Sequence, residues 1–222
     1  MKSVKVFVPY GAVGLNCTEE AFEAGLAMKP DIISSDAGST DSGPYYLGSG
    51  HGKYSIRDVK RDLKRMVLGA DKLGIPMTIG SAGTCGSDEG VDMAYKLICE
   101  ICEEAGIHKK IARIYSQQNA ETLKAKYREG KITALHGAPE ISEKTFDECS
   151  TIVALLGAEA YEEAFKNGAD IIIGGRSTDT AVMAAYPLMH GCDPASCWHA
   201  AKTVECGGVC TLSLIHISEP TR

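Results

Sequence analysis

Lys166-Asn-Gly-Ala-Asp-Ile-Ile-Ile-Gly174 reads as a helix end, a glycine stop, a short apolar strand and the glycine that opens a loop. Lys72-Leu-Gly-Ile-Pro-Met-Thr-Ile-Gly80 repeats the plan. A helix, a glycine, an apolar strand and a polar glycine-containing loop, recurring along the chain, are the sequence sign of parallel βαβ architecture. The spacing of the units is irregular, so this is a repeated architecture and not a solenoid.

Working outward, the same reading predicts strands at Val4–Val8, Asp31–Ser35, Met77–Gly80, Ile111–Tyr115, Ile132–Leu135 and Ala169–Gly174. Helices are predicted over Thr18–Ala27, Ile56–Leu73, Gly90–Ala105, Ala120–Glu129, Glu159–Asn167 and Asp179–Met189. Thr18, Ser55 and Ser142 stand where a hydroxyl caps the first orphan N–H groups, with acids following in the first turn. Glycines 74, 106, 130 and 168 mark helix ends. The expected fold is α/β, a mostly parallel sheet with flanking helices, Rossmann-like and doubly wound. No Ser/Gly linker or charge run marks a boundary, so residues 1–211 form a single domain in this reading.

Composition narrows the class. The 222 residues are 44% hydrophobic and 23% charged with a net charge of −6, an ordinary globular balance. An acidic chain lacks the concentrated Lys/Arg surface that nucleic acid or an anionic membrane favours. No apolar run reaches the roughly 20 residues of a membrane helix, and Pro9 and Gly11 interrupt the first apolar run before a secretory segment forms. Nine scattered cysteines suit reduced thiols, which places the protein in the cytoplasm. Cys99 and Cys102 share a helix face with no second pair at zinc spacing, so they read as small buried apolar residues.

Four loops leave strand ends and should converge at the carboxyl edge of the sheet, where open α/β folds bind ligands. The first is Pro9–Asn16. The second, Asp36-Ala-Gly-Ser-Thr-Asp-Ser-Gly-Pro-Tyr-Tyr-Leu-Gly-Ser-Gly50, is too long for an ordinary turn and joins glycines to hydroxyls and two acids. In it Gly38, Ser39 and Thr40 are candidate anion-binding groups, and Asp36 and Asp41 candidate acids or bases. The third, Gly80–Gly90, brings Ser81, Gly83 and Thr84 ahead of a helix N-terminus, a seat for a carboxylate or phosphate. Ser87 or Asp88 equally serves to cap that helix.

The fourth loop, Gly174–Thr180, offers Arg176 as a carboxylate or phosphate clamp, with Ser177, Thr178 and Asp179 opening the next helix. Asp179 reads as a base, a metal ligand or a helix cap, and Arg176 alternatively as a structural ion pair with Asp36 or Asp41. The paired acids Asp36 and Asp41, joined by Asp179 where the loops converge, could hold Mg²⁺ through oxygen ligands. His199, beside Trp198, is a fourth candidate catalytic group or else a packed helix residue. Neither the dinucleotide fingerprint nor a P-loop is present.

Lys29-Pro-Asp-Ile-Ile-Ser-Ser-Asp-Ala-Gly-Ser-Thr-Asp-Ser-Gly-Pro-Tyr-Tyr-Leu-Gly-Ser-Gly50, Ile75–Gly83, Ala169–Ala181 and Trp198–Gly207, in that order, resemble the N-terminal domain of the acyclic terpene utilisation (AtuA) family. The resemblance covers residues 2–210. It implies bacterial catabolism of acyclic terpenoids such as citronellol, which are degraded as CoA thioesters, and a small ferredoxin-like partner domain or subunit. It supplies no catalytic residue. The expectation is therefore a homo-oligomeric catabolic protein acting on a small organic acid or acyl-CoA thioester by hydratase- or lyase-like chemistry. A non-catalytic acyl-CoA-binding subunit and a metal-dependent hydrolase are the alternatives.

Leu212-Ser-Leu-Ile-His-Ile-Ser-Glu-Pro-Thr-Arg222 resembles the translation of a sequencing adapter. Residues 212–222 are thus expected to be non-native and the domain truncated at its C-terminus, against the alternative of a genuine apolar strand at Leu212–Ile217.

Overall fold

Met77 and Ile79 face one layer of the fold, and Thr78 between them faces the other. The computed structural model describes residues 2–38 and 44–206. In chain order the elements are β1 (Val6–Phe7), α1 (Glu19–Ala27), β2 (Ile32–Asp36), α2 (Tyr45–Ser49), α3 (Ile56–Leu73), β3 (Met77–Gly80) and α4 (Asp88–Ala105). They continue as β4 (Ile111–Ile114), α5 (Ala120–Arg128), α6 (Glu143–Glu148), α7 (Ala158–Lys166), β5 (Ile171–Gly174), α8 (Asp179–Met189) and α9 (Pro194–Val204). All strand pairs are parallel and the order is β1-β2-β3-β5-β4, the α/β sheet expected from the sequence.

Two cores result, one on each face. Ile33, Met77, Ile79, Ile171 and Ile173 pack under Phe22 and Leu26 of α1, Leu63, Met66 and Val67 of α3 and Val91, Ile98 and Ile101 of α4. Ile172 faces the other way, into Tyr161 of α7 and Ala181, Val182, Ala184 and Ala185 of α8. On that second face the strands carry hydroxyls. Thr78 Oγ1 lies 2.7 Å from Ser34 Oγ and 3.2 Å from the Val182 carbonyl, so these buried groups are hydrogen-bonded to one another and to α8.

Local signals explain the helix borders. Thr18, Ser55 and Ser87 each accept a bond from the backbone N–H three residues on, at 3.2, 3.1 and 3.2 Å. Gly74 and Gly106 end α3 and α4 in the left-handed region. The expected strand at Ile132–Leu135 does not form: Leu135 is 82% exposed, and without a partner strand a four-residue apolar run has nothing to bury against. Three helices were not predicted. Of these, α9 carries both start signals, Asp193 accepting from Ser196 N at 2.8 Å and Pro194 in the first turn.

The first loop is anchored to α3 by Asp62 and Arg65, whose Nη1 donates to Asn16 Oδ1 at 2.8 Å. Asp62 is fully buried, and its Oδ2 accepts from Gly14 N at 2.8 Å and Asn16 N at 3.0 Å, while Oδ1 takes Arg61 Nε at 2.8 Å. Register sets the level of the other loops. Asp36 pairs with Gly80, Ile79 with Ile173 and Ile114 with Gly174, so β2, β3, β4 and β5 finish at one edge. None of the helices among the described residues is long and apolar enough to cross a membrane.

Candidate functional site

Asp36 is the last residue of β2 and points to the α8 side of the sheet. It is 2% exposed; Oδ2 accepts from Gly38 N at 3.0 Å, and Oδ1 has no hydrogen-bond partner among the described residues. Burial and then the Asp179 charge push its pKa up to about 8, against the pull of Arg176, the Gly38 N–H and the nearby Ser81 hydroxyl.

Arg176, 7% exposed, crosses from the β5 loop to the β2 loop. Nη1 donates to the Gly38 carbonyl at 3.1 Å, and Nη2 donates to the Ser177 carbonyl at 3.0 Å and to Asp179 Oδ1 at 2.7 Å. Nε is buried without a partner among the described residues. The sequence alternatives for Arg176 were a substrate clamp or an ion pair with Asp36 or Asp41. Among the described residues the pair that forms is with Asp179, three residues on at the first position of α8, and Asp41 lies outside them. Thr178 holds the cap position of α8 and its N–H donates to the Leu156 carbonyl at 3.0 Å.

The glycines of these loops make room for neighbouring backbone. A Cβ on Gly38 would stand 2.1 Å from the Thr84 carbonyl oxygen, and one on Gly86, with φ of +71°, 2.1 Å from Arg176 N. The second loop thus presses on the third and the third on the fourth. Their backbones are bonded as well: Ser81 N and Ala82 N donate to the carbonyls of Gly175 and Gly174, and Arg176 N to that of Gly86. Ser81 and Thr84 are held at φ of +48° and +79°, and for β-branched Thr84 that is a strained conformation of the kind that clusters at functional sites. Thr84 Oγ1 accepts from Lys53 N at 2.9 Å, which ties residues 52–54 to the third loop. Gly83, at φ +70°, rests on Gly90 in the first turn of α4.

At the start of α4 the capping alternative holds. Ser87 Oγ accepts from Gly90 N, and Asp88 exchanges two 3.3 Å bonds with Gln117. Protein groups therefore occupy part of the helix end that the sequence offered to an anion.

The structure brings Asp36, Gly38, Ser81, Thr84, Arg176, Ser177 and Asp179 together. Ser39, Thr40 and Asp41 lie outside the described residues. His199 is not in the cluster: it sits exposed on α9, and its carbonyl accepts from Thr203 Oγ1. Among the described residues no three His, Cys, Asp or Glu side chains are grouped to hold a metal ion. Sequence reasoning passed over Tyr161 and Ser116. The fully buried Tyr161 hydroxyl lies 2.6 Å from Ser177 Oγ, which donates to the Gly175 carbonyl, while Ser116 Oγ accepts from Arg176 N at 2.7 Å. Tyr161 recurs with Ala158 and Ala164 at helical spacing, which marks it for the core and says nothing of its hydroxyl.

A raised carboxyl pKa is a statement about stability. Asp36 binds its proton up to about pH 8 in the folded chain but only to about pH 4 when unfolded, so between those limits the native state holds more protons. Stability from this group is complete below about pH 4 and is lost as pH rises to about 8. Urea unfolding across that range, with the Asp36→Asn curve subtracted, is expected to fall by about 1.4 kcal/mol per pH unit and then level off. A flat difference would show an ordinary carboxyl.

A search of curated proteins finds no match. The family model described as "Acyclic terpene utilisation family protein AtuA" matches residues 58–214, which hold the third and fourth loops with Ser81, Thr84, Arg176 and Asp179, while Asp36 precedes the matched span. A match over that share of the chain decides the family: this protein belongs to the acyclic terpene utilisation (AtuA) family.

Proposed function

We propose that the chain is a catabolic enzyme of acyclic terpene utilisation that acts on the acyl part of a small organic acid or acyl-CoA thioester, with Asp36 moving the proton. One observation carries the reading: a buried carboxyl whose Oδ1 has no partner among the described residues, its pKa pushed up to about 8, held beside the Arg176–Asp179 pair at the loop-bearing edge of the sheet. Such a group exists in both protonation states near neutral pH, the condition for general acid and base work.

In a hydration, protonated Asp36 gives its proton to the acyl carbonyl oxygen while a water oxygen bonds to the second carbon from that carbonyl, which leaves an enol. The added water loses a proton to solvent, the enol returns its O–H proton to the Asp36 carboxylate as the carbon next to the carbonyl takes one from solvent, and elimination runs the same steps in reverse. The Gly38 N–H holds the carboxyl, and Arg176 in turn holds the Gly38 carbonyl. The family supports the terpenoid setting, and the carboxyl supports the proton-transfer class.

The test is incubation of the full chain with a β-methyl-branched enoyl-CoA, following the enoyl thioester by absorbance and the product by mass. Conversion to a hydroxyacyl-CoA is the expected result. Binding without conversion favours a non-catalytic substrate-binding subunit, and absence of binding overturns the acyl reading.

A further inference from the structure

Charge and donor inventory at Asp36 separate the two substrate classes named above, given the reading that Asp36 is the working group. Arg176 has five N–H donors. Three are taken by Gly38, Ser177 and Asp179, and both hydrogens of Nη2 are among them. The side-on fork of Nε and Nη2 is therefore closed to a second carboxylate, because only one of its two arms still has a hydrogen to give.

The charges lead to the same result. Arg176 is neutralised by Asp179 at 2.7 Å, in a setting where both side chains are largely buried. Counted over the described residues, the cluster is balanced with Asp36 protonated, and a bound carboxylate adds an unmatched negative charge to it. Lys53 lies over the Tyr54 ring, and no further cation among the described residues of the cluster offsets that charge. Tyr161 of α7 faces Asp36 as a neutral phenol whose pKa is driven up by burial, Tyr54 is likewise neutral, and Ser81 has only a hydroxyl. On α9, Lys202 lies in the field of Asp179 but is paired with Glu205, and Cys206 is a thiol whose pKa is raised by burial. What the site does hold is Asp36 Oδ1, buried and without a partner among the described residues, while Oδ2 is occupied by Gly38 N.

We propose that the site takes an uncharged acyl carbonyl (a thioester, ester or amide) as acceptor of a hydrogen bond from the Oδ1–H of protonated Asp36, and discriminates against the free carboxylate of the same skeleton. A protonated carboxylic acid in a desolvated site is a strong donor toward a carbonyl oxygen on which negative charge develops. The substrate is then recognised at its reacting end as a neutral group, and any charged carrier portion lies outside the cluster.

The experiment compares two probes on the full chain: the N-acetylcysteamine thioester of a β-methyl-branched enoic acid, and that acid itself. Calorimetry gives affinity across pH, and the ¹³C signal of the Asp36 carboxyl gives its titration. At neutral pH the thioester is expected to bind at least about tenfold tighter, and its affinity to fall about tenfold per pH unit above the Asp36 midpoint. It should also move that midpoint upward. In Asp36→Asn, whose amide donates at every pH, thioester affinity is expected to be independent of pH. Equal or tighter binding of the free acid, or thioester affinity that ignores pH in the unmodified chain, overturns the proposal. If the acid binds as well as the thioester while the thioester is still converted, only the carbonyl selectivity falls. If neither probe moves the Asp36 signal, the assignment of Asp36 as the working group falls with it.

Discussion

Replacing Asp36 by Asn is expected to lower conversion of a branched enoyl-CoA by about 10²–10⁴-fold, the usual contribution of a positioned proton donor. The substitution keeps shape and a hydrogen-bond donor but removes the acidic proton, so binding and proton transfer are separated. Stability moves in the other direction. In the unmodified chain at high pH, an ionised Asp36 is buried 2% exposed beside Asp179, and the amide removes that cost. The variant should therefore melt at the same temperature or higher at about pH 9. Lost activity together with retained or increased thermal stability identifies a chemical role. Activity within about threefold of the unmodified chain would exclude Asp36 as the proton carrier.

Asp62→Ala is expected to cost about 3–5 kcal/mol, the range for removing one partner of a buried charged network. Three donors lose their acceptor at once: Gly14 N, Asn16 N and Arg61 Nε. The first two hold the loop after β1 against α3, so the effect reaches Tyr10 and Val13, which belong to the core on that face. For a chain of this size the loss corresponds to a fall in melting temperature of about 6–20 °C. Denaturant unfolding measures it directly. A change below about 1 kcal/mol, with unaltered slope, would mean that solvent replaces the carboxylate and that the anchor is dispensable.

The fold was legible where sequence signals are local. Met77–Gly80 was placed to the residue because Pro76 and Gly80 bound a run whose apolar content has no other use. Asp179–Met189 was likewise fixed by the acid in its first turn. The failures came where the deciding partner is distant. Ile132–Leu135 has the composition of a strand and no neighbour to pair with, which only the sheet order reveals.

The convergence of Asp36, Ser81 and Arg176 followed from the rule that parallel strands deliver their loops to one edge. Which groups would bond there did not follow. Among the described residues Arg176 pairs with Asp179 because a helix start returns the chain within reach three residues later, and the space at Gly38 and Gly83, the glycines read as ligand-binding, is filled by Thr84 and Gly90 backbone. Composition gives the amount of space a glycine leaves and not its occupant. The Tyr161 hydroxyl was invisible for a related reason, since a buried tyrosine looks like any core aromatic until its partner is seen.

The strand order β1-β2-β3-β5-β4 has a consequence for synthesis on the ribosome. Strands β1 to β3 can assemble as they emerge, each pairing with the one before. Strand β4 then appears with no place to go, because β5, its neighbour among the described residues, is made about sixty residues later and must enter between it and β3. Until Ile171–Gly174 leaves the exit tunnel, β3 presents an open edge and the loops that build the Asp36 cluster lack Arg176. The nascent chain therefore completes its sheet and its candidate site in one late event, and that interval is when a holding chaperone matters most to this protein.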